Sequence, residues 1–420
     1  MAAKRNKPEQ PRPIVRLAVA AGLLVILLLL TWNTGRSGLA RLSATYAAQT
    51  YQIASADAAV SLGRNDPDAH FVRAALLEPN DLPGAIAGYR QAALARPEDY
   101  ALWLSLARAC ELNGDTAAAI AASRQAVPLA PAYVEPHYQL GNILLRAGQR
   151  DEAFKELGLA GASNPALMPG IIDLAWRVSG GSVQFVAQAI KPGTPAAYLA
   201  LGEYFRQRTE TDAAIAMYVA AGSAADENRR SYVGQLIAGK QFKAAAKLWA
   251  VGRPSGAKPG VMIDPGLEQE GNLKDPGFGW RLGERDTGFH LSLDTNNPRE
   301  GRSSLKVEFD GDSDPSSPVI TQLVLVEPGT HYQLRFAVRS ENLVSGGLPL
   351  LVIMDADANK ALGQSNPFPI TDGWHEYTIS FDSAPAASAV QIVLQRQTCS
   401  RTPCPIFGRL WLDNFSLEKL

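Results

Sequence analysis

The first half of the chain repeats itself every 34 residues. Ala85, Ala119 and Ala153 follow that spacing, as do Ala92, Ala126 and Ala160, and Pro97, Pro131 and Pro165. Trp103 falls in register with His137, Gly114 with Gly148, and Leu106-Ala107 with Leu140-Gly141. A period of this size fits one unit of two helices and a turn. Such a unit cannot bury its apolar face alone, so successive units must stack. Alanine and glycine at fixed places let antiparallel helices approach closely, leucine and aromatic residues fill the gaps between them, and proline stops the second helix of each pair.

The pattern resembles the tetratricopeptide repeat, in which a large residue precedes Leu-Gly, a turn glycine, two alanines and a closing proline. Segments 100–133 and 134–167 carry most of it, and 66–99 a fair part. Segment 195–224 matches through Tyr198, Leu201-Gly202, Ala214, Tyr218 and Ala221, and 225–250 more weakly. Between 166 and 194 the register degrades at Met168-Pro169-Gly170, Gly180-Gly181 and Pro192-Gly193, which implies a degenerate repeat. The resemblance implies a concave groove that takes a protein partner. Tyr100, Arg108, Glu111, Asn142 and Arg146, all on first helices, are the candidate contacts. Cys110, inside a helical pattern, is expected to be a small buried hydrophobe.

Ahead of the repeats, Leu17 to Trp32 carries no charge, and Leu23 to Leu30 is wholly apolar. A span begun at Ile14 is about 28 Å long as a helix, close to the thickness of a hydrocarbon core. Lys4, Arg5, Lys7, Arg12 and Arg16 precede it, so the tail is expected to stay in the cytoplasm and the rest to be exported. A cleaved signal peptide is the alternative, but Thr31 to Gly35 offers no small-x-small cleavage site. Residues 39–62 are expected to be an Ala-rich helix joining the span to the repeats.

Basic and acidic residues nearly balance, at 40 and 41, so no global pull toward nucleic acid follows. Alanine thins out after about residue 250, and residues 251–261 form a Pro/Gly-rich linker. Beyond it, Leu305, Val307 and Phe309 alternate with charged residues. Tyr332, Leu334, Phe336 and Val338 form a second such series, and Val390, Ile392 and Leu394 a third. This two-residue period predicts strands with one buried face. Eight or nine of them predict an antiparallel sandwich or jelly roll. The sequence thus divides into a cytoplasmic tail (1–13), a transmembrane helix (14–33), an all-α tetratricopeptide-like solenoid (39–250), a linker (251–261) and an all-β sandwich (262–420).

Several phrases of the last part resemble galactose-binding-like and carbohydrate-binding-module jelly rolls. They are Gly266-Leu267-Glu268, Gly301 to Val307, Val326 to Tyr332, Gly373 to Tyr377 and, most specifically, Leu410-Trp411-Leu412-Asp413-Asn414-Phe415-Ser416-Leu417. With Phe278-Gly279-Trp280-Arg281-Leu282 behind a repeat array, the layout resembles bacterial membrane proteins, some linked to cell-surface polysaccharide. The resemblance implies a single-pass inner-membrane protein with its folded parts outside the cytoplasm. It also implies a structural calcium between the first and last strands, with Glu268 and Asp413 at the matching places.

Sugar recognition needs a flat aromatic and polar forks. Trp280, Arg335, Arg339, Gln391 and Gln395 are the candidates, while Trp374 and Trp411 are expected in the core. Cys399 and Cys404 are close enough for a disulfide in an oxidising compartment. Asp355 to Asn359 begins like a calcium loop but has Lys360 where glycine is required, so a polar hairpin turn is expected. No catalytic motif of the serine-hydrolase, phosphate-loop or zinc-protease kind is present. A binding and scaffolding role without catalysis is therefore expected, with no cofactor beyond the calcium. The alternatives are a purely structural scaffold and a glycan hydrolase. The hydrolase would need paired carboxylates, such as Glu268 with Asp413 or Glu308 with Asp310.

Overall fold

The computed structural model describes residues 13–253, 256–269, 277–282, 288–311, 313–315, 317–399 and 403–420. The tail expected over 1–13 lies outside the described residues, save its last. The chain forms two compact units, Met1–Lys191 and Pro192–Leu420.

The first unit opens with α1 (Pro13–Thr50), a single helix through the apolar stretch and beyond it. It is the one described helix long and apolar enough to cross a membrane. Each residue from Leu23 to Leu30 is more than half exposed, which water does not favour and a lipid interior does. The joining segment is not one helix. α1 ends where Tyr51 takes a φ of 56°, and α2 (Ile53–Leu62) packs back along it, with Ala40, Ala44, Ala47, Ala56 and Ala59 buried. Tyrosine rarely adopts that conformation, so nothing in the sequence marks the break.

Helix pairs follow: α3 (Pro67–Leu77) with α4 (Leu82–Ala95), α5 (Tyr100–Leu112) with α6 (Thr116–Leu129), α7 (Val134–Arg146) with α8 (Arg150–Ser163), and α9 (Met168–Ser179) with α10 (Val183–Ile190). The 34-residue period is visible atom by atom. Asp81 and Asp115 accept the N–H groups of Gly84 and Ala118 and so satisfy orphan donors at helix starts. Gly114 and Gly148 turn the chain at φ of 79° and 78°, where a Cβ would be strained. Trp103 Nε1 donates to Pro97 O at 2.9 Å, and His137 Nε2 lies 3.0 Å from Pro131 O. The other ring nitrogen of His137 is 2.6 Å from buried Glu156, a polar contact closed inside the pair. Cys110 is buried, and desolvation pushes its thiol pKa up.

Ala85, Ala119 and Ala153 are fully buried. A Cβ on Gly141 would lie 2.7 Å from Leu157 and 3.0 Å from the Ala153 carbonyl, which measures how closely α7 and α8 touch. Ala153→Leu is expected to destabilise the chain by about 1–3 kcal/mol through overpacking. Denaturant unfolding of the full-length protein in detergent checks this, and an unchanged midpoint would contradict the helix contact.

The second unit begins with α11 (Pro195–Gln207), α12 (Thr211–Ala220), α13 (Asp226–Ala238) and α14 (Phe242–Trp249). Gly202 repeats the role of Gly141, since a Cβ there would meet the Tyr218 ring at 3.0 Å. Ten strands follow: β1 (Trp280–Leu282), β2 (Phe289–Asp294), β3 (Ser304–Gly311), β4 (Ile320–Leu325), β5 (His331–Ser345), β6 (Pro349–Asp355), β7 (Lys360–Gln364), β8 (His375–Asp382), β9 (Ala389–Arg396) and β10 (Ile406–Lys419). They form two antiparallel five-stranded sheets, β1-β4-β9-β6-β7 and β2-β3-β10-β5-β8. The fold is the expected repeat solenoid followed by a β-sandwich.

All three alternating series point their apolar members into one core. Phe336 sits at its middle, stacked on Tyr377 at 5.7 Å and on Phe415 at 5.4 Å. Burying a side chain of this size stabilises by about 1.5–3 kcal/mol. Asp355 to Asn359 is the polar turn between β6 and β7: Asp355 Oδ1 accepts the N–H groups of Asp357 and Ala358, and Asn359 has a φ of 53°.

Candidate functional site

A sandwich buries one face of each sheet, so any site on its strands uses the outward faces. On the β1-β4-β9-β6-β7 sheet, Arg281, Thr321, Val393, Val352 and Gln364 form one outward row across all five strands. Leu323, Gln391 and Met354 form the next, and Gln395 pairs with Leu350. Gln391 and Gln395 are half-buried and stand on one strand among leucine, valine and methionine. They are four residue steps apart along the strand, about 13 Å. Each amide offers both donors and an acceptor, the fork that sugar hydroxyls require.

The other outward face is chemically different. Ser292, Lys306, Trp411 and Arg339 form a row across β2, β3, β10 and β5. Trp411 lies between the inward Leu410 and Leu412; it is buried as expected, at 3% exposed, but on the side of the sheet away from the inter-sheet core. It is covered by the Arg339 guanidinium, 4.1 Å from its ring centroid. Trp374 is also outside the core cluster, and its centroid is 5.6 Å from the same guanidinium. Arg335, further along β5, is exposed; it donates to Gln333 at 2.9 Å and lies 3.8 Å from Glu418.

The five sugar-contact candidates therefore do not converge. Gln391 and Gln395 lie on one outer face, and Arg335 and Arg339 on the other. Trp280 lies on neither. It is 1% exposed, its Nε1 donates to Asp264 O at 3.0 Å, and its ring packs against Phe415 at 4.9 Å. A ring with both faces in the core offers none to a ligand, so Trp280 is corrected from platform to core.

Glu268 and Asp413 converge on one segment, residues 299–303. Asp413 Oδ2 accepts the N–H of Arg299 at 2.7 Å and of Glu300 at 3.1 Å. Glu268 accepts the Arg302 N–H at 2.8 Å and the Ser303 hydroxyl at 3.2 Å. Asp413 is 0% exposed, and burial pushes its carboxyl pKa upward, with the Glu268 charge adding to the rise against the backbone N–H groups. Asp413 Oδ1 also accepts the Asn414 N–H at 2.6 Å, so each of the four carboxylate oxygens already has an N–H or O–H donor, which a cation would have to share or displace. Among the described residues, no group of three or more His, Cys, Asp or Glu is placed to hold a metal, so a cation here would also need carbonyls or water.

The other carboxylate pair is Glu308 with Asp310, on neighbouring same-face positions of β3. Glu308 takes hydrogen bonds from Lys306 and Arg409, which lower its pKa. A general acid needs the opposite shift, so Glu308 fits only the ionised member of such a pair.

Cys399 and Cys404 are disulfide-bonded, with Cα atoms 5.8 Å apart. The residue that anchors their loop escaped the sequence reading. Arg396, 1% exposed, donates to Gly347 O at 3.3 Å, Ser345 Oγ at 3.0 Å and Cys404 O at 2.7 Å, and also to Ser313 O. It continues the inward series Val390, Ile392, Leu394. A charge at the next inward position was the available signal.

In the helical unit, three of the five groove candidates serve contacts between repeats. Arg108 donates to Glu78 at 2.8 Å, and Arg146 to Glu111 at 2.6 Å. Asn142 caps the Tyr138 carbonyl on its own helix at 2.8 Å. Tyr100 packs against Tyr133, with ring centroids 5.5 Å apart. A cleft of about 340 Å³, which the sequence did not suggest, opens beside Tyr138, Leu157, Leu167, Ile171, Leu174 and Arg177.

Set against known families, the sandwich has a clear counterpart. Residues 269–402 match the carbohydrate binding domain family model. The matched segment takes in Gln391, Gln395, Arg339 and Trp374, and leaves out Trp411 and Asp413. No curated protein matches the chain. Many solved structures are similar to parts of it, among them the following three. MamA from Desulfovibrio magneticus RS-1 is 14% identical over 37% of this chain and 92% of its own, with a TM-score of 0.32. Pseudomonas aeruginosa pilF is 14% identical over 45% and 90%, also at 0.32. The CBM22-1 xylan-binding domain of Paenibacillus barcinonensis Xyn10C is 13% identical over 39% and 97%, at 0.27. At these values they say nothing of what this chain binds.

Proposed function

We propose that this protein is a non-catalytic, membrane-anchored adaptor that binds glycan through its sandwich and a protein partner through its helical repeats. α1 holds it in the bacterial cytoplasmic membrane, with the basic tail inside and both folded units outside. Cell-surface polysaccharide assembly is the setting in which a glycan contact and a protein contact on one anchored chain would both serve. The observation that carries this reading is the carbohydrate binding domain match over 269–402, which spans the outward face bearing Gln391 and Gln395. The two half-buried amides grip hydroxyls along a sugar chain, while Leu323, Val352 and Val393, buried beside them, set the strand surface from which they project.

A glycan array probed with the full-length chain in detergent tests it. Binding to a defined set of glycans, reduced about tenfold or more by Gln391→Ala with Gln395→Ala, is expected from the loss of two hydrogen-bonding groups. An array on which the wild type is blank refutes the reading.

Glu268 and Asp413 are proposed to hold a structural calcium, which would supply the positive charge these crowded carboxylates call for. Calcium is then expected to raise the melting temperature of the wild type by on the order of 5 °C at saturating concentration. Asp413→Asn should abolish that shift. An equal shift in the variant would remove calcium from this site.

A further inference from the structure

The outward face of the β2-β3-β10-β5-β8 sheet carries a second constellation, remote from the two glutamines. We propose that Arg339, set between Trp411 and Trp374, binds the carboxylate of an acidic sugar, a uronic-acid residue in a glycan chain.

The two indoles are fixed in place. Trp411 Nε1 donates to Asp294 Oδ2 at 2.8 Å, and Trp374 Nε1 donates to Asn297 O at 3.1 Å. They flank the guanidinium at 4.1 and 5.6 Å. Contacts of this kind favour a cation without using its N–H groups. Among the nearby acids, Glu341 stands two residues along β5 on the same face, opposite Arg409 of β10, and four others are engaged elsewhere. Asp294 also accepts from Asn296, Glu376 pairs with Arg299 at 2.8 Å, Glu308 with Lys306 and Arg409, and Asp372 with His375 at 3.1 Å.

Arg339 is the exception. Among the described residues it makes no hydrogen bond or ion pair, and its Nε is buried without an acceptor. A guanidinium left this way forgoes charge-assisted hydrogen bonds worth more than its stacking returns. A carboxylate arriving from solvent meets a planar fork already oriented by the two rings, and bidentate pairing suits arginine better than lysine. The half-buried edge of Trp374 offers an apolar surface for the C–H groups of the sugar that carries the acid. The carbohydrate binding domain match, which includes Arg339 and Trp374, favours a sugar over an acidic peptide.

The test uses the full-length chain in detergent micelles and titration calorimetry. Polygalacturonate, alginate and a polyglucuronate are the acidic probes, methyl-esterified polygalacturonate is the uncharged control, and poly-L-glutamate is the competitor. At least one acidic polymer should bind, and esterification should weaken binding tenfold or more. Arg339→Gln should lose it to the same degree, with Arg339→Lys restoring part. Gln391→Ala with Gln395→Ala should leave uronate binding in place, which separates this site from the glycan face proposed above. Melting temperatures of each variant are taken in parallel, and the acid-against-ester comparison needs no variant at all. The proposal falls if no acidic polymer binds the wild type, if the ester binds as well as the acid, if a folded Arg339→Gln protein binds undiminished, or if poly-L-glutamate competes as well as the uronate.

Discussion

Arg396→Met is expected to destabilise the sandwich by about 3–5 kcal/mol, although it replaces a charge with an apolar side chain of similar length. The guanidinium is buried and donates to the carbonyls of Gly347, Ser313 and Cys404 and to the Ser345 hydroxyl. Methionine fills the space but donates nothing. The carbonyls stay buried, and each unsatisfied one costs about 1–3 kcal/mol. The bonds also tie the β5–β6 turn, the segment before β4 and the disulfide loop to one residue of β9, so the loss should be cooperative. Arg396→Lys should recover only part, because an ammonium cannot reach the same fork of acceptors. Urea unfolding of the full-length chain, followed by tryptophan fluorescence, reads the effect. A loss below about 1 kcal/mol would mean the loops hold without it.

Trp280→Ala is expected to cost about 3–5 kcal/mol, the range for removing a large aromatic side chain from a core. The variant loses the packing against Phe415, opens a cavity beside that ring, and leaves Asp264 O without the indole donor. Trp280→Phe should recover much of the packing but not the hydrogen bond. Glycan affinity, measured where the variant is still folded, should match the wild type. Near-normal stability with lost glycan binding would return Trp280 to the role of a platform.

These two residues also show where sequence is legible and where it is not. The 34-residue period fixed the helix pairs because each small residue in it answers to a contact, such as Gly141 against Leu157 or Gly202 against Tyr218. Strand alternation likewise placed Leu305, Phe336 and Ile392 inward. Parity alone would have turned Trp411 outward, between Leu410 and Leu412, and Arg396 inward, after Leu394. Trp280 stands in a three-residue strand, too short for alternation to choose a face. That Gln391 and Arg339 lie on opposite sheets follows from strand order, which no local pattern encodes. The ion pairs Arg108–Glu78 and Arg146–Glu111 join neighbouring repeats, so single-repeat reasoning made Arg108, Glu111 and Arg146 into open groove contacts.

The central claim joins an anchor, an orientation and a glycan site in one chain. Cells expressing the full-length protein can be converted to spheroplasts, which expose the outer side of the cytoplasmic membrane. The spheroplasts are then mixed with a fluorescent oligosaccharide chosen from the array and sedimented. The expected result is that intact spheroplasts carry the label down without permeabilisation, and that those bearing the Gln391→Ala, Gln395→Ala variant do not. Label that sediments only after the membrane is opened, or equally with the variant, would contradict the account.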